Sequence, residues 1–113
     1  MSKNLADHFL KNANPKNFLF EIETGKKRNF LEIKKNVKSL SKKKILKKKK
    51  ISVILPNGID YVEFFLTCQF LGILFHPIPY FTSQTEINKI LKFFKPDLVI
   101  TDRKDLNFLK KKF

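Results

Sequence analysis

The amino-acid sequence predicts an α/β fold with a partial parallel sheet whose strands are joined by helical crossovers. In residues 51–79, a short apolar run, a Pro-Asn-Gly turn, a longer apolar run, a glycine and a second short run follow one another. This order is typical of a strand, a helix and a parallel strand. A third short apolar run, at residues 98–101, follows an amphipathic segment that begins near Ser83. We therefore expect about three parallel strands with helices on the sheet faces.

The residues before this sheet predict a short helix, a β-hairpin and a second helix. Asn4 is a suitable N-cap for a helix from residue 5 to about residue 11. Residues 18–23 alternate loosely as a strand does, the Thr-Gly pair at 24–25 indicates a turn, and residues 26–28 are the returning strand. Asn29, with Glu32 three residues later, indicates the N-cap of an amphipathic helix with apolar residues at 30, 33, 37 and 40.

The helix between the first two parallel strands is predicted to be largely buried. Its polar residues Asp60, Glu63 and Thr67 form one narrow stripe, and the other faces are apolar. The next crossover helix begins at a capping box formed by Ser83 and Glu86. Residues 103–112 are expected to begin a further helix.

The chain has 113 residues and a formal net charge of +14, and 22 of its 24 basic residues are lysines. The scarcity of arginine argues against sequence-specific nucleic-acid binding. Drift toward A/T-rich codons also explains the charge, because lysine, phenylalanine, isoleucine and asparagine make up about half of the chain. Seven lysines lie in residues 42–50, which we interpret as a solvated connection. The alternative is a small lysine-rich basic module that binds nucleic acid or anionic membrane nonspecifically.

Residues 61–81 are apolar and long enough to span a bilayer, but two prolines and Glu63 interrupt them. We therefore expect no transmembrane segment. The N-terminal residues are polar and do not resemble a signal peptide, which favours a cytoplasmic protein. Cys68 is the only cysteine, so one chain cannot form a disulfide framework.

Several residues are candidates for a site, and each has a structural interpretation beside the functional one. The turn Pro56-Asn57-Gly58 lies where open sheets bind ligands, but turn and cap chemistry with Asp60 explains it equally. His76, at the end of a strand, is suitable as an acid, a base or a polar pocket group, but also as a satisfied histidine.

The remaining candidates favour structural roles. We expect His8 to be exposed and Cys68 to be a buried, small apolar residue rather than a nucleophile. The carboxylate pairs Asp60/Glu63 and Asp102/Asp105 are expected on helix faces or caps and are too few for a metal cage. We assign no catalytic, cofactor-binding or metal-binding residue.

A family resemblance emerges from the order of short motifs over residues 4–102. These motifs are Asn4-Leu-Ala-Asp7, Gly25 to Ile33 with Phe30 and Glu32, Val53-Ile-Leu-Pro-Asn57, Asp60-Tyr61, Leu71-Gly72, Pro77, Glu86-Ile87, Ile90-Leu91 and Val99-Ile-Thr-Asp102. Together they resemble the N-terminal portion of the AMP-forming acyl-CoA synthetases, the adenylate-forming ligases. The chain departs from the family pattern at Asn29, at the lysines before residue 51, at His76 and at Pro79-Tyr80.

The resemblance implies a ligase that activates a carboxylic acid with ATP and Mg²⁺ as an acyl-adenylate and then transfers the acyl group to a thiol such as coenzyme A. The family's phosphate-binding loop, adenine segment and catalytic lysine belong to regions after those matched here. Gly25, Gly58 and Gly72 are far apart and form no phosphate cradle. We therefore expect residues 1–113 to form one incomplete domain, inactive alone. A separate chain is a possible source of the rest of the ligase.

Overall fold

The computed structural model describes residues 4–106. These residues form four α-helices and five strands, in the order α1 (Leu5–Asn12), β1 (Phe18–Phe20), β2 (Lys27–Asn29), α2 (Phe30–Ser41), β3 (Lys50–Ile54), α3 (Ile59–Leu71), β4 (Leu74–Pro77), α4 (Gln84–Phe94) and β5 (Leu98–Thr101). A short 3-10 helix, Lys44–Leu46, lies between α2 and β3.

The larger sheet has three parallel strands in the order β4-β3-β5, with β3 at the centre. The connection from β3 to β4 passes through α3, and the connection from β4 to β5 passes through α4 and crosses β3. Strands β1 and β2 form a separate antiparallel hairpin. The predicted α/β class, the parallel sheet with helical crossovers, and the preceding short helix and hairpin are therefore confirmed.

The two faces of the parallel sheet are covered by different helices. Alternate residues of β3 point to opposite faces, as a strand requires. Ile51 and Val53 belong to the apolar cluster that includes Cys68 of α3. Ile54 belongs instead to the cluster that includes Ile87 and Leu91 of α4. Helices α3 and α4 therefore lie on opposite faces of the sheet.

Helix α3 is the most enclosed of the four α-helices, as its apolar faces predict. On one side, Phe64 and Cys68 pack against the sheet. On the other side, Leu66 lies in a cluster with Ala6 of α1 and Ile33 of α2. Gly72 ends the helix in the left-handed conformation (φ 71°), which glycine adopts without a steric penalty.

A buried ionic network attaches the hairpin and α2 to α3. The Glu63 side chain is only 6% exposed. Its Oε1 accepts a hydrogen bond of 2.7 Å from the Arg28 guanidinium, and its Oε2 accepts one of 2.8 Å from the Asn36 amide. Thr67 is also buried and donates to the Glu63 carbonyl. The polar stripe of α3 therefore mostly faces protein, and only Asp60 remains exposed.

Two further differences from the sequence-based expectations are local, and a third expectation lies only partly within the described residues. The first hairpin strand ends at Phe20 because Glu21 already belongs to the hydrogen-bonded turn that Gly25 closes. Within residues 42–50, the lysines are mostly exposed as expected, but Leu46 is buried against the sheet. Of the helix expected at residues 103–112, residues 104–106 form a single helical turn, and the rest lies outside the described residues.

Among the described residues, no helix is both long enough and apolar enough to cross a membrane. The apolar stretch at residues 61–81 is divided between α3, β4 and the loop after β4.

We predict that Glu63→Ala lowers the free energy of unfolding by about 2–4 kcal/mol, because it removes the buried partner of Arg28 and leaves this partly buried charge with the exposed Asp60 at 3.7 Å. Urea denaturation followed by circular dichroism measures this change. The matched control is Glu23→Ala, since Glu23 is exposed. We expect the control to change the free energy by less than about 0.5 kcal/mol. Equal effects of the two substitutions would contradict the assigned role of Glu63.

Candidate functional site

The candidate site lies at the carboxyl ends of the parallel strands. The loop after β3 leads to α3 on one face of the sheet, whereas the loop after β4 leads to α4 on the other face. Two neighbouring strands whose loops diverge in this way open a crevice between them, and ligands of open α/β sheets bind at such a point. The topology therefore identifies the β3–β4 boundary as the place to search for a site.

A cleft of about 1000 Å³ opens at this boundary. One wall is formed by residues 55–62, which contain the Pro56-Asn57-Gly58 turn. The opposite wall is formed by residues 77–81. The hairpin contributes residues 19–24 and Lys26, and Asp102, which follows β5, completes the lining. The structure thus confirms that Pro56-Asn57-Gly58 is a strand-to-helix turn, and its role in ligand binding stays a prediction.

The N-terminus of α3, which faces this cleft, is capped by a residue from the hairpin. The backbone N–H of Ile59 donates a hydrogen bond of 2.7 Å to Oε2 of Glu21, and the Thr24 hydroxyl donates one of 2.7 Å to Oε1. These hydrogen bonds, first that from Ile59, lower the pKa of Glu21 below its ordinary value. Glu21 therefore stays ionised beside the positive end of the helix dipole.

Gly58 leaves room for the Glu21 carboxylate because it has no side chain. A Cβ atom at position 58 would lie 2.7 Å from Oε2 of Glu21, which is closer than such atoms approach. The expected cap chemistry is thus present, but the capping carboxylate comes from Glu21 and not from the turn itself. A carboxylate of the protein occupies the position at which a helix N-terminus would bind an anionic ligand.

The side of the cleft nearest β5 is organised by Arg103. Its guanidinium donates to the backbone carbonyls of Tyr80 at 3.0 Å and Thr82 at 2.5 Å, and it forms an ion pair with Asp105. Asp102 instead faces the cleft, and its carboxylate raises the pKa of the Tyr80 hydroxyl. Asp102 and Asp105 therefore have different main contacts, Tyr80 for Asp102 and Arg103 for Asp105.

His76 lies away from the cleft, on the α4 face of the sheet. It is paired with Ser52 across the strands, and its Nδ1 is 2.8 Å from the Ser52 hydroxyl oxygen. Its ring stacks on Phe94 of α4 with 3.9 Å between the ring centroids. Because Ser52 is fully buried, the serine hydroxyl is not accessible to a substrate. The interpretation of His76 as a satisfied histidine is supported, and Ser52 is the partner that sequence reasoning missed.

The other sequence candidates have structural contacts. Cys68 is buried, and burial raises the pKa of its thiol to about 11, so a reactive thiolate is disfavoured at neutral pH. His8 is exposed, and its Nδ1 lies 3.4 Å from the amide nitrogen of Asn12 in the same helix. Asp60 lies 3.7 Å from the Arg28 guanidinium, which it shares with Glu63. Within residues 4–106, no cluster of three or more His, Cys, Asp or Glu side chains is arranged to bind a metal.

The cleft is lined by polar side chains that can form hydrogen bonds and by apolar side chains. Its polar groups include the Asn57 amide, the Glu21 and Asp102 carboxylates and the Tyr80 hydroxyl, set beside the apolar Leu55. Among the described residues that line it, there is no cysteine, serine or histidine. The arrangement therefore suits contact with a ligand or a neighbouring segment.

Comparison with known proteins gives no assignment: no protein-family model matches the chain, and no curated protein is significantly similar to it.

We predict that the Glu21 cap makes stability depend on acid pH. Because the pKa of Glu21 is lowered, the stability that the cap contributes is fully present above pH 4.5, the ordinary pKa of this group. That contribution is lost as the pH falls through the pKa of Glu21 in the folded state. Glu21→Gln should therefore lower Tm at pH 7, and the difference from the wild type should shrink at pH 3. Glu23→Gln, in the same turn region, is the control and should leave Tm unchanged at both values. A Glu21→Gln deficit that is the same at pH 3 and pH 7 would argue against an ionic cap.

We predict a second pH dependence, from His76, at higher pH. Burial lowers the pKa of His76 below its ordinary value of 6.5. Near that pH the imidazole is therefore protonated more readily in the unfolded chain than in the folded chain. Stability should therefore fall as the pH is lowered from 7.5 through 6.5 and further through the lowered folded-state pKa. His76→Asn should flatten this slope in urea denaturation, whereas the exposed control His8→Asn should keep it. Parallel slopes for the wild type and His76→Asn would contradict the prediction.

Proposed function

We propose that this chain forms the N-terminal part of the large domain of an AMP-forming acyl-CoA synthetase. The observation that carries the proposal is the ordered set of family-like motifs over residues 4–102. The observed order of elements supports it, because each motif lies on the kind of element that the resemblance implies. The Asn4 motif opens α1, Asn29 to Ile33 open α2, and the residues after Val53 lead from β3 into α3.

In the proposed reaction, a carboxylate attacks the α-phosphate of ATP, which yields an acyl-adenylate and pyrophosphate. A thiol such as coenzyme A then attacks the acyl carbon and releases AMP. Mg²⁺ accompanies the ATP phosphates in such chemistry. The phosphate-binding loop, the ribose-binding aspartate and the catalytic lysine would come from family regions that follow those matched here, either further along the same gene or on a separate chain.

The part proposed for residues 4–106 is to supply one wall of the ligase's ligand-binding region and not the reacting groups. The cleft at the β3–β4 boundary supports this part, because its polar groups are placed for contact with a ligand or an adjoining segment. The capped N-terminus of α3 is consistent with phosphates being bound elsewhere, since Glu21 already accepts from the first N–H of the helix, that of Ile59, and places a negative charge there.

The proposal predicts what lies downstream in the gene. We expect the nucleotide sequence after the codon for Phe113, or a neighbouring frame or gene, to encode a Ser/Thr/Gly-rich loop followed by lysine. The intact mass of the expressed protein then decides whether that sequence is translated with this chain. Absence of such a loop in every neighbouring frame, with a mass that corresponds to 113 residues, would restrict the ligase relationship to ancestry.

The proposal also predicts that the purified 113-residue chain releases no pyrophosphate from ATP with any carboxylic acid. Addition or fusion of the segment that contains the phosphate loop should produce acid-dependent pyrophosphate release. A matched control is the same fusion with the lysine that ends the loop changed to alanine, which should remain inactive. Acyl-adenylate formation by the 113-residue chain alone would refute the assignment of the reacting groups to other segments.

A further inference from the structure

A dense group of lysines lies on one continuous region of the chain, from the outer face of α2 to the start of β3. We call this region the basic surface. Its eight exposed lysines are Lys35, Lys38, Lys42, Lys43, Lys44, Lys47, Lys48 and Lys49. The sequence has no acidic residue between Glu32 and Asp60. The positive charge of the basic surface is therefore not balanced by its own segment.

The outer face of α2 and the connection after it form one surface because of helix geometry. Ile33 and Val37 are buried and define the inward face of α2. At about 100° per residue, Lys35, Lys38 and Lys42 lie within an arc of about 60° on the opposite side. The helix ends at Ser41, so this arc leads directly into the lysines of the connection.

The connection is attached to the fold and is not a free tail. Leu46 is 4% exposed and packs in the cluster with Ile51 and Val53. The backbone N–H groups of Lys49 and Lys50 each donate a hydrogen bond of 3.1 Å to Asp97. Asp97 is the acidic side chain that contacts this connection, and it contacts the backbone and not the ammonium groups. Because the backbone is attached, the lysines cannot disperse as those of a free tail would.

No lysine of the basic surface forms an ion pair with another residue in the part of the chain that the structure describes. The ion pairs of that part involve Lys26, Arg28, Lys89 and Arg103 instead. Like charges held close together repel one another, and an external anionic surface removes that repulsion.

An exposed apolar side chain lies within this charge. Ile45 is flanked by lysines on both sides of the 3-10 helix and is 61% exposed. Burial of Leu46 in the core turns the neighbouring Ile45 outward, because successive residues of a short helical turn cannot both face the core. An apolar side chain surrounded by ammonium groups matches the boundary between lipid headgroups and acyl chains.

The composition of the basic surface bears on whether its ligand is nucleic acid or anionic lipid. Residues 33–50 contain no arginine and no aromatic residue. Single-stranded nucleic acids are bound largely by stacking of bases on aromatic side chains, and bases in duplexes are read largely by arginine forks. Binding to anionic lipid requires neither aromatic residues nor arginine, because a cluster of lysines near an apolar anchor is sufficient.

We propose that the basic surface docks the protein peripherally on an anionic lipid bilayer, with Ile45 inserted at the headgroup level. The surface lies at the amino end of β3, whereas the cleft lies at the carboxyl end, a separation of about 17 Å along a five-residue strand. Docking therefore leaves the cleft turned away from the bilayer. This inference is independent of the ligase proposal.

Vesicle co-sedimentation of the full 113-residue chain tests the inference. We expect binding to vesicles of phosphatidylcholine and phosphatidylserine (7:3) at 0.1 M salt, with little binding to phosphatidylcholine alone and strong weakening by added salt. Each lysine near such a surface contributes about a fivefold change in affinity. A charge variant should therefore bind at least about a hundredfold more weakly. Its four substitutions are Lys43→Gln, Lys44→Gln, Lys47→Gln and Lys48→Gln.

Two matched controls separate this surface from the net charge of the chain. The first control makes the same change in net charge at exposed lysines elsewhere and should retain most of the binding. Its four substitutions are Lys11→Gln, Lys16→Gln, Lys89→Gln and Lys92→Gln. For the apolar anchor, Ile45→Ser should weaken binding about tenfold, whereas Ile22→Ser, at a site 88% exposed on the hairpin, should not. Thermal unfolding of each variant verifies that the fold is retained.

Two results would overturn the inference. One is equal loss of vesicle binding in both lysine variants, because binding would then follow bulk charge only. The other is a single-stranded oligonucleotide that competes the chain off anionic vesicles at 0.15 M salt, combined with no effect of Ile45→Ser on either ligand. That second result would assign the basic surface to nucleic acid.

Discussion

The buried carboxylate of Glu63 is the constraint on which the arrangement of the other elements depends. A charge on an enclosed helix is tolerated only where ionic and hydrogen-bonding partners replace water. Arg28 from the hairpin and Asn36 from α2 supply those partners, so both elements must lie against α3. The same hairpin places Glu21 at the N-terminus of α3. Two carboxylates thus determine where the hairpin lies, and the hairpin in turn forms part of the cleft.

The parallel sheet separates two chemically different surfaces. Its carboxyl edge opens into the cleft, where loops diverge because α3 and α4 cover opposite faces. Its amino edge is preceded by the lysine-rich connection, which Leu46 and Asp97 attach to the fold. A strand of five residues separates the two surfaces, so the proposed lipid contact at the amino edge would leave the cleft at the carboxyl edge free.

The groups with the most evident chemistry are engaged in structural contacts. His76 is occupied by Ser52 and Phe94 on the α4 face, and burial suppresses ionisation of the Cys68 thiol. Glu21 is occupied by the backbone of α3. What remains at the cleft is a set of polar groups beside apolar walls, which suits contact with a ligand.

The sequence by itself determined the order and type of the elements, because hydrophobic period, caps and turn residues are local properties. Asn4, Asn29 and Ser83 cap the helices that their patterns predicted. The sequence also placed the turn after β3 correctly. Only the tertiary structure decided which side chains meet: Glu21 reaches a helix 38 residues away, and Glu63 is buried although its stripe is polar. The physical reason is that the hydrophobic periodicity of a segment specifies which face of the helix or strand a residue occupies. Packing then decides whether that face contacts water or another element.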